Sequence, residues 1–92
     1  MKSPAAILPE LRVELRAIVA ARVGEDVLTK FEVMPYVDHN GEDSLKVVIE
    51  VSSDRFDGVD RLGLMSELFD HLNERRLDLF PYTTFVREGE AA

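Results

Sequence analysis

The segment TKFEVMPYVDHNGEDSLKVVIEVS, residues 29 to 52, holds two alternating runs of side chains on either side of a polar bend. In 29 to 37, Phe31, Val33 and Val37 point one way and Lys30, Glu32 and Tyr36 the other. In 44 to 52, Leu45, Val47, Ile49 and Val51 form an apolar face opposite Lys46, Glu50 and Ser52. Between them lies DHNGED, and its Asn40-Gly41 pair is the strongest short hairpin signal a sequence offers, because both residues tolerate positive φ. The segment therefore predicts two antiparallel strands with one apolar face. Pro35 cannot donate a ladder hydrogen bond, so the first strand is an edge or carries a bulge.

Working outward, Leu8, Leu11, Leu15, Ile18, Val19 and Val23 recur at three- and four-residue steps and predict a helix over 9 to 23. Pro9 suits its first turn and Gly24 its stop, which leaves 1 to 7 as a loose arm. On the other side, SSDRFDG leads into a second helix. Asp57 is the expected N-cap, with Asp60 as an aspartate variant of the capping box. The expected apolar stripe is Val59, Leu62, Met65, Leu68, Phe69 and Leu72, and Arg75 and Arg76 close the helix with the favourable charge sign. LDLFPYTTFV, 77 to 86, reads as a third strand, again an edge or bulged because of Pro81, followed by a polar tail over 87 to 92. The order α-β-β-α-β contains a βαβ crossover, whose strands run parallel. With one apolar face on each helix, the prediction is a single α+β domain over 1 to 92. It is a two-layer sandwich with a three-stranded mixed sheet and both helices on one side.

Composition narrows the chemistry. The 92 residues are 46% apolar and 32% charged, as in a globular chain. Without cysteine there are no disulfides, thiolate metal sites or thiol nucleophiles, which fits the cytoplasm. The start of the chain makes a poor signal peptide, and no apolar run reaches membrane-helix length. A formal charge of −7, with basic residues scattered, argues against nucleic acid and an acidic membrane surface as partners.

Four clusters could carry a reaction, and each has a plainer reading. DHNGED lacks the frame of a calcium loop, and His39 is its one good nitrogen ligand, so a turn is preferred over a metal site. Asp54, Asp57 and Asp60 read as a helix entry. His71 with Glu67 reads as a surface i, i+4 pair. The serines lack a nucleophile elbow, and Gly58 and Gly63 make no phosphate loop. A metal-dependent hydrolase or nuclease using Asp54, Asp57 and His71 is thus a distant alternative, and no cofactor is expected. The favoured reading is a non-catalytic protein-interaction domain. Its uncovered sheet face would present Tyr36, Val48, Phe80, Tyr82 and Val86 to a protein partner or to a second copy in a homodimer.

One stretch resembles a known family. SLKVVIEVSSDRFDGVDRLGLMSEL is similar to the BolA-like family, in which a strand of the form KVV(I/L)V leads to SD-x-F-x-G and a helix. The matching positions are Lys46, Val47, Val48, Ile49, Ser53, Asp54, Phe56 and Gly58; His39-Asn40 and Leu15 to Ala17 agree loosely. The resemblance implies an α+β fold of the KH type II kind. It also implies partnership with a monothiol glutaredoxin around a shared iron–sulfur cluster, and some members act on DNA. The chain departs from the family in its helix, where Arg61-Leu62-Gly63 replaces arginine-histidine-arginine, and in LDLFPY, which lacks the family's histidine. An extra residue also sits in VIEVSSD. Only His39 could stand in as a cluster ligand. Nor do Gly58 and Gly63 form the GXXG clamp of a KH domain.

Overall fold

The structure, a computed structural model, describes residues 4–90. Its elements are α1 (Pro4–Val23), β1 (Leu28–Val37), β2 (Asp43–Val51), a short 3-10 turn (Phe56–Gly58), α2 (Arg61–Glu74) and β3 (Pro81–Arg87). The sheet order is β1-β2-β3, with β1 antiparallel and β3 parallel to β2. This is the α-β-β-α-β sandwich with a mixed sheet that the alternation predicts. No helix among the described residues is long and apolar enough to cross a membrane.

Leu45, Val47, Ile49 and Val51 of β2 are fully buried, and they meet Leu11, Leu15 and Val19 of α1 and Leu64, Leu68 and Leu72 of α2 in one core. Both outer strands are edges, and each carries a proline. On β1, Pro35 has no N–H to offer, and Arg12 Nη2 donates to the Val33 carbonyl at 3.4 Å. On β3, the bonds from Leu45 N–H to the Phe80 carbonyl and from Glu88 N–H to the Val51 carbonyl set the phase of the ladder. Thr83 and Phe85 therefore turn their N–H and C=O groups outward.

Several expectations are corrected. The first helix begins at Pro4, so residues 4 to 7 of the expected arm are helical, and Pro9 lies inside the helix; residues 1 to 3 lie outside the described residues. Ile7 is buried in the core, and that burial offsets the backbone bond lost at Pro9. Val37 is 61% exposed, because it sits at the hairpin end of β1, beyond the helices. β1 is the edge strand that Pro35 implies, and its register shift falls between Leu28 and Lys30. The strand expected over 77 to 86 starts only at Pro81, as suits a residue confined to strand ends, and runs to Arg87, a position assigned to the tail. Of that tail, 88 to 90 form a turn, and 91 to 92 lie outside the described residues.

The second helix differs in two ways. Its N-cap is Asp60, whose Oδ1 accepts from Gly63 N–H at 3.0 Å, while Asp57 belongs to the 3-10 turn before it. Its buried row is Leu64, Leu68 and Leu72, whereas Leu62 is 82% and Phe69 40% exposed. The helix is rotated relative to the expected stripe, so that an i, i+4 row of leucines enters the groove between sheet and α1. At its end Arg76 takes φ 58, and Leu77 N–H reaches the Leu72 carbonyl at 3.0 Å, a Schellman closure normally made by glycine.

Chemical denaturation tests both features of α2. Leu68→Ala should cost about 2–5 kcal/mol, and Leu62→Ala less than about 0.5 kcal/mol; equal losses would contradict the rotation. Arg76→Gly should stabilise by about 1 kcal/mol, since it relieves a left-handed backbone at an exposed position.

Candidate interaction surface

The strand register determines which residues share the face of the sheet turned away from the helices. Lys46, Val48 and Glu50 of β2 stand beside Met34, Glu32 and Lys30 of β1 and beside Tyr82, Thr84 and Val86 of β3. Tyr36, opposite Ser44, completes the row at the hairpin end. Val48 is half-buried at the centre. The charges lie around it, with Lys30 Nζ 3.4 Å from Glu32 and Glu50 accepting from Thr29 Oγ1 at 2.7 Å. Phe80 precedes β3 and is 46% exposed.

Four aromatic rings run continuously from this face around the β3 edge to α2. Tyr36 meets Tyr82 edge-on at 5.2 Å between centroids, Tyr82 meets Phe80 at 4.9 Å, and Phe80 meets Phe69 at 5.8 Å. These separations lie in the favourable range for aromatic pairs. Beside them is a cavity of about 340 Å³ lined by Tyr36, Lys46, Met65, Phe80, Tyr82, Thr83 and Thr84. Phe69 joins this surface although the sequence pattern assigns it to the core.

The DHNGED bend anchors the chain of rings. Asp38 N–H donates to the Glu42 carbonyl at 3.0 Å and Gly41 N–H to the Asp38 carbonyl at 2.9 Å, with Gly41 at φ 80. The Asp38 carboxylate accepts from the Asn40 and Glu42 N–H groups at 2.9 and 3.0 Å, and its other oxygen accepts from the Tyr82 hydroxyl at 3.2 Å. The Glu42 N–H, foremost among these donors, holds the Asp38 carboxyl below its usual value. Partial burial, and next the facing Asp38 charge, push the Tyr82 hydroxyl up. The bend therefore ties the hairpin to β3. His39 is exposed at the tip, and among the described residues no group of three or more histidine, aspartate or glutamate side chains is placed to hold a metal ion.

The other candidates are not brought together. Asp54 lies 3.9 Å from Arg55, Asp57 lies 3.3 Å from Arg87, and Asp60 caps α2 and meets Arg22 at 3.3 Å. His71 does not pair with Glu67, because the two are claimed by α1. His71 Nε2 lies 2.7 Å from Glu14, which also takes Arg75 at 2.9 Å, while Glu67 takes Arg22 at 2.6 Å. Ten residues into α2, His71 is roughly 15 Å along the axis from its start, remote from Asp54 and Asp57. These groups form an ion-paired seam between the helices, of a kind that adds little stability pair by pair. A second group that the pattern does not reveal surrounds Phe56, with the Arg61 and Arg87 guanidiniums 4.5 and 4.8 Å from its ring centre.

No family model, no curated protein and no solved structure matches this chain.

The Asp38 anchor has a pH signature. A carboxyl whose folded-state pKa is lowered contributes stability above its unfolded value, and the contribution fades as pH falls through the folded one. The melting-temperature gap between the native chain and Asp38→Asn should therefore be constant near neutrality and shrink as pH falls below 3.8. A gap that does not change with pH would show that the carboxylate charge is not what the bend uses.

Proposed function

We propose that the chain is a non-catalytic protein-interaction domain that binds a partner protein on the open face of its sheet. The observation that carries this reading is the register of β3, which sets Tyr82 and Val86 beside Val48 on the face with no helix over it. Tyr36 extends the same row. Supporting it is the make-up of the face: an apolar and aromatic centre with lysine and glutamate around it, the usual anatomy of a protein interface. Tyrosine is a frequent anchor of such surfaces, and Tyr82 is already fixed by Asp38, so less order is lost on binding. The charge of −7 suits a protein partner better than a nucleic acid. A cysteine-free acidic chain suits the cytoplasm, where this reading places it.

The test is a tagged capture in which the native chain and Val48→Lys are compared side by side, with circular dichroism to show that both are folded. A stoichiometric partner should bind the native chain and bind Val48→Lys at least about tenfold more weakly. Equal recovery by the two chains would remove the open face from the interaction, and so would a native chain that captures nothing.

A further inference from the structure

The hairpin bend holds a reactive pair of residues that the open face does not use. Asn40 is followed by Gly41, and nothing shields the glycine nitrogen: a Cβ built on Gly41 would meet no atom within 4 Å. Both residues are exposed, and among the described residues the Asn40 side chain has no hydrogen-bond partner. A free side-chain amide next to an unhindered backbone nitrogen is the arrangement in which a five-membered imide ring closes. Asn73, the other asparagine of the chain, stands in the last turn of α2 before the bulkier Glu74.

Asp38 holds this pair in an unreactive geometry. The Gly41 nitrogen attacks only after losing its proton, and that proton is donated to the Asp38 carbonyl at 2.9 Å. One Asp38 carboxylate oxygen takes the Asn40 and Glu42 N–H groups at 2.9 and 3.0 Å, and the other takes the Tyr82 hydroxyl at 3.2 Å. The loop is the three residues His39 to Gly41, closed by Asp38 N–H on the Glu42 carbonyl, with the positive φ of 80 on Gly41 and not on Asn40. Turning the Asn40 side-chain carbon onto the Gly41 nitrogen requires this loop to open.

We propose that Asn40 is a site of spontaneous deamidation, that the Asp38 clamp holds its rate down, and that the product loosens the hairpin from β3. The deprotonated Gly41 nitrogen bonds to Asn40 Cγ, the Cγ–Nδ2 bond breaks, and the amide nitrogen leaves as ammonia carrying the displaced proton. Water then adds across one of the two ring C–N bonds. Opening at Cγ leaves aspartate; opening at the main-chain carbonyl leaves isoaspartate, with the chain rerouted through Cβ and Cγ. One water enters and one ammonia leaves, so no oxidant, metal or further reactant is needed. Either product puts a new carboxylate beside that of Asp38, and the like charges repel. Isoaspartate also adds a methylene to the main chain inside a three-residue loop, which takes Gly41 N–H out of register with the Asp38 carbonyl. The Asp38 carboxylate is also the partner of Tyr82, so a change that starts at the bend reaches β3.

Mass spectrometry of the full chain aged in mildly alkaline buffer tests the proposal, since trypsin releases residues 31 to 46, which hold Asn40 and no other asparagine. Methyl transfer by an isoaspartyl methyltransferase separates isoaspartate from aspartate. In urea, where the bend is lost, Asn40 should convert at least about tenfold faster than in the folded chain, as opening of its hydrogen bonds implies. Asn73 is the internal reference and should lag Asn40 in urea. Asp38→Ala, shown to be folded by circular dichroism, should recover most of the difference between folded chain and urea, and Tyr82→Phe a smaller part. Chain isolated with isoaspartate at position 40 should melt at least about 4 °C below fresh chain. The gap should be smaller in Tyr82→Phe, where the link to β3 is already cut. Equal rates in folded chain and urea overturn the proposal, as does Asp38→Ala that converts no faster than the native chain. An Asn40 no faster than Asn73 in urea removes the site, and a melting gap of the same size in both backgrounds removes the link to β3.

Discussion

Strand β2 is hydrogen-bonded along both edges, and its four inward side chains, Leu45, Val47, Ile49 and Val51, have no exposed surface. Burying each of them contributes about 1.5–3 kcal/mol, and the rest of the molecule is arranged to make that burial complete. Helix α1 lies over the β1 side and α2 over the β3 side, joined at their seam by Glu10, Glu14, His71 and Arg75. Because side chains alternate along a strand, hiding these four also decides that Lys46, Val48 and Glu50 face the other way. The open face is thus a geometric by-product of the core, and its chemistry depends on what the neighbouring strands place beside those three residues.

Those neighbours are set by two further constraints. Antiparallel pairing with β1 brings Met34 and Tyr36 to the face, and parallel pairing with β3 brings Tyr82, Thr84 and Val86. Asp38 then connects the two edge strands, since its carboxylate takes both the N–H groups of the bend and the Tyr82 hydroxyl. A residue that reads as turn chemistry also acts across 44 positions of sequence. The bend is therefore part of the surface.

Period-two alternation made β1 and β2, their shared face and the order of elements legible, because a fully buried strand leaves few ways to place its side chains. The rotation of α2 was not legible. Leu62, Leu64, Met65, Leu68, Phe69 and Leu72 cover too wide an arc for periodicity to choose which row meets the core. Asp57 and Asp60 are equally good caps on paper, and the 3-10 turn at Phe56 decides between them. Pro9 punctuates the sequence like a helix start, yet burial of Ile7 pulls another turn onto the helix. The register of β3 was not legible either: Pro81 signals an edge or a bulge, and only the structure shows it to be the strand's first residue. A slip of one position there would have put Thr83 and Phe85 on the open face instead of Tyr82, Thr84 and Val86. Contacts such as Tyr82 with Asp38 have no local signature at all.

The prolines at the two edges of the sheet bear on how another chain could add to it. On β1, Pro35 has no N–H and Arg12 donates to the Val33 carbonyl; on β3, Pro81 has no N–H and its carbonyl accepts from Thr83 Oγ1 at 3.0 Å. A sheet with two receptive edges can add copies without end and become a fibre. A strand added at either edge here would meet a rung with no donor and a carbonyl already taken. The two prolines thus interrupt both outer ladders, so neither edge of this small sheet offers an unbroken template.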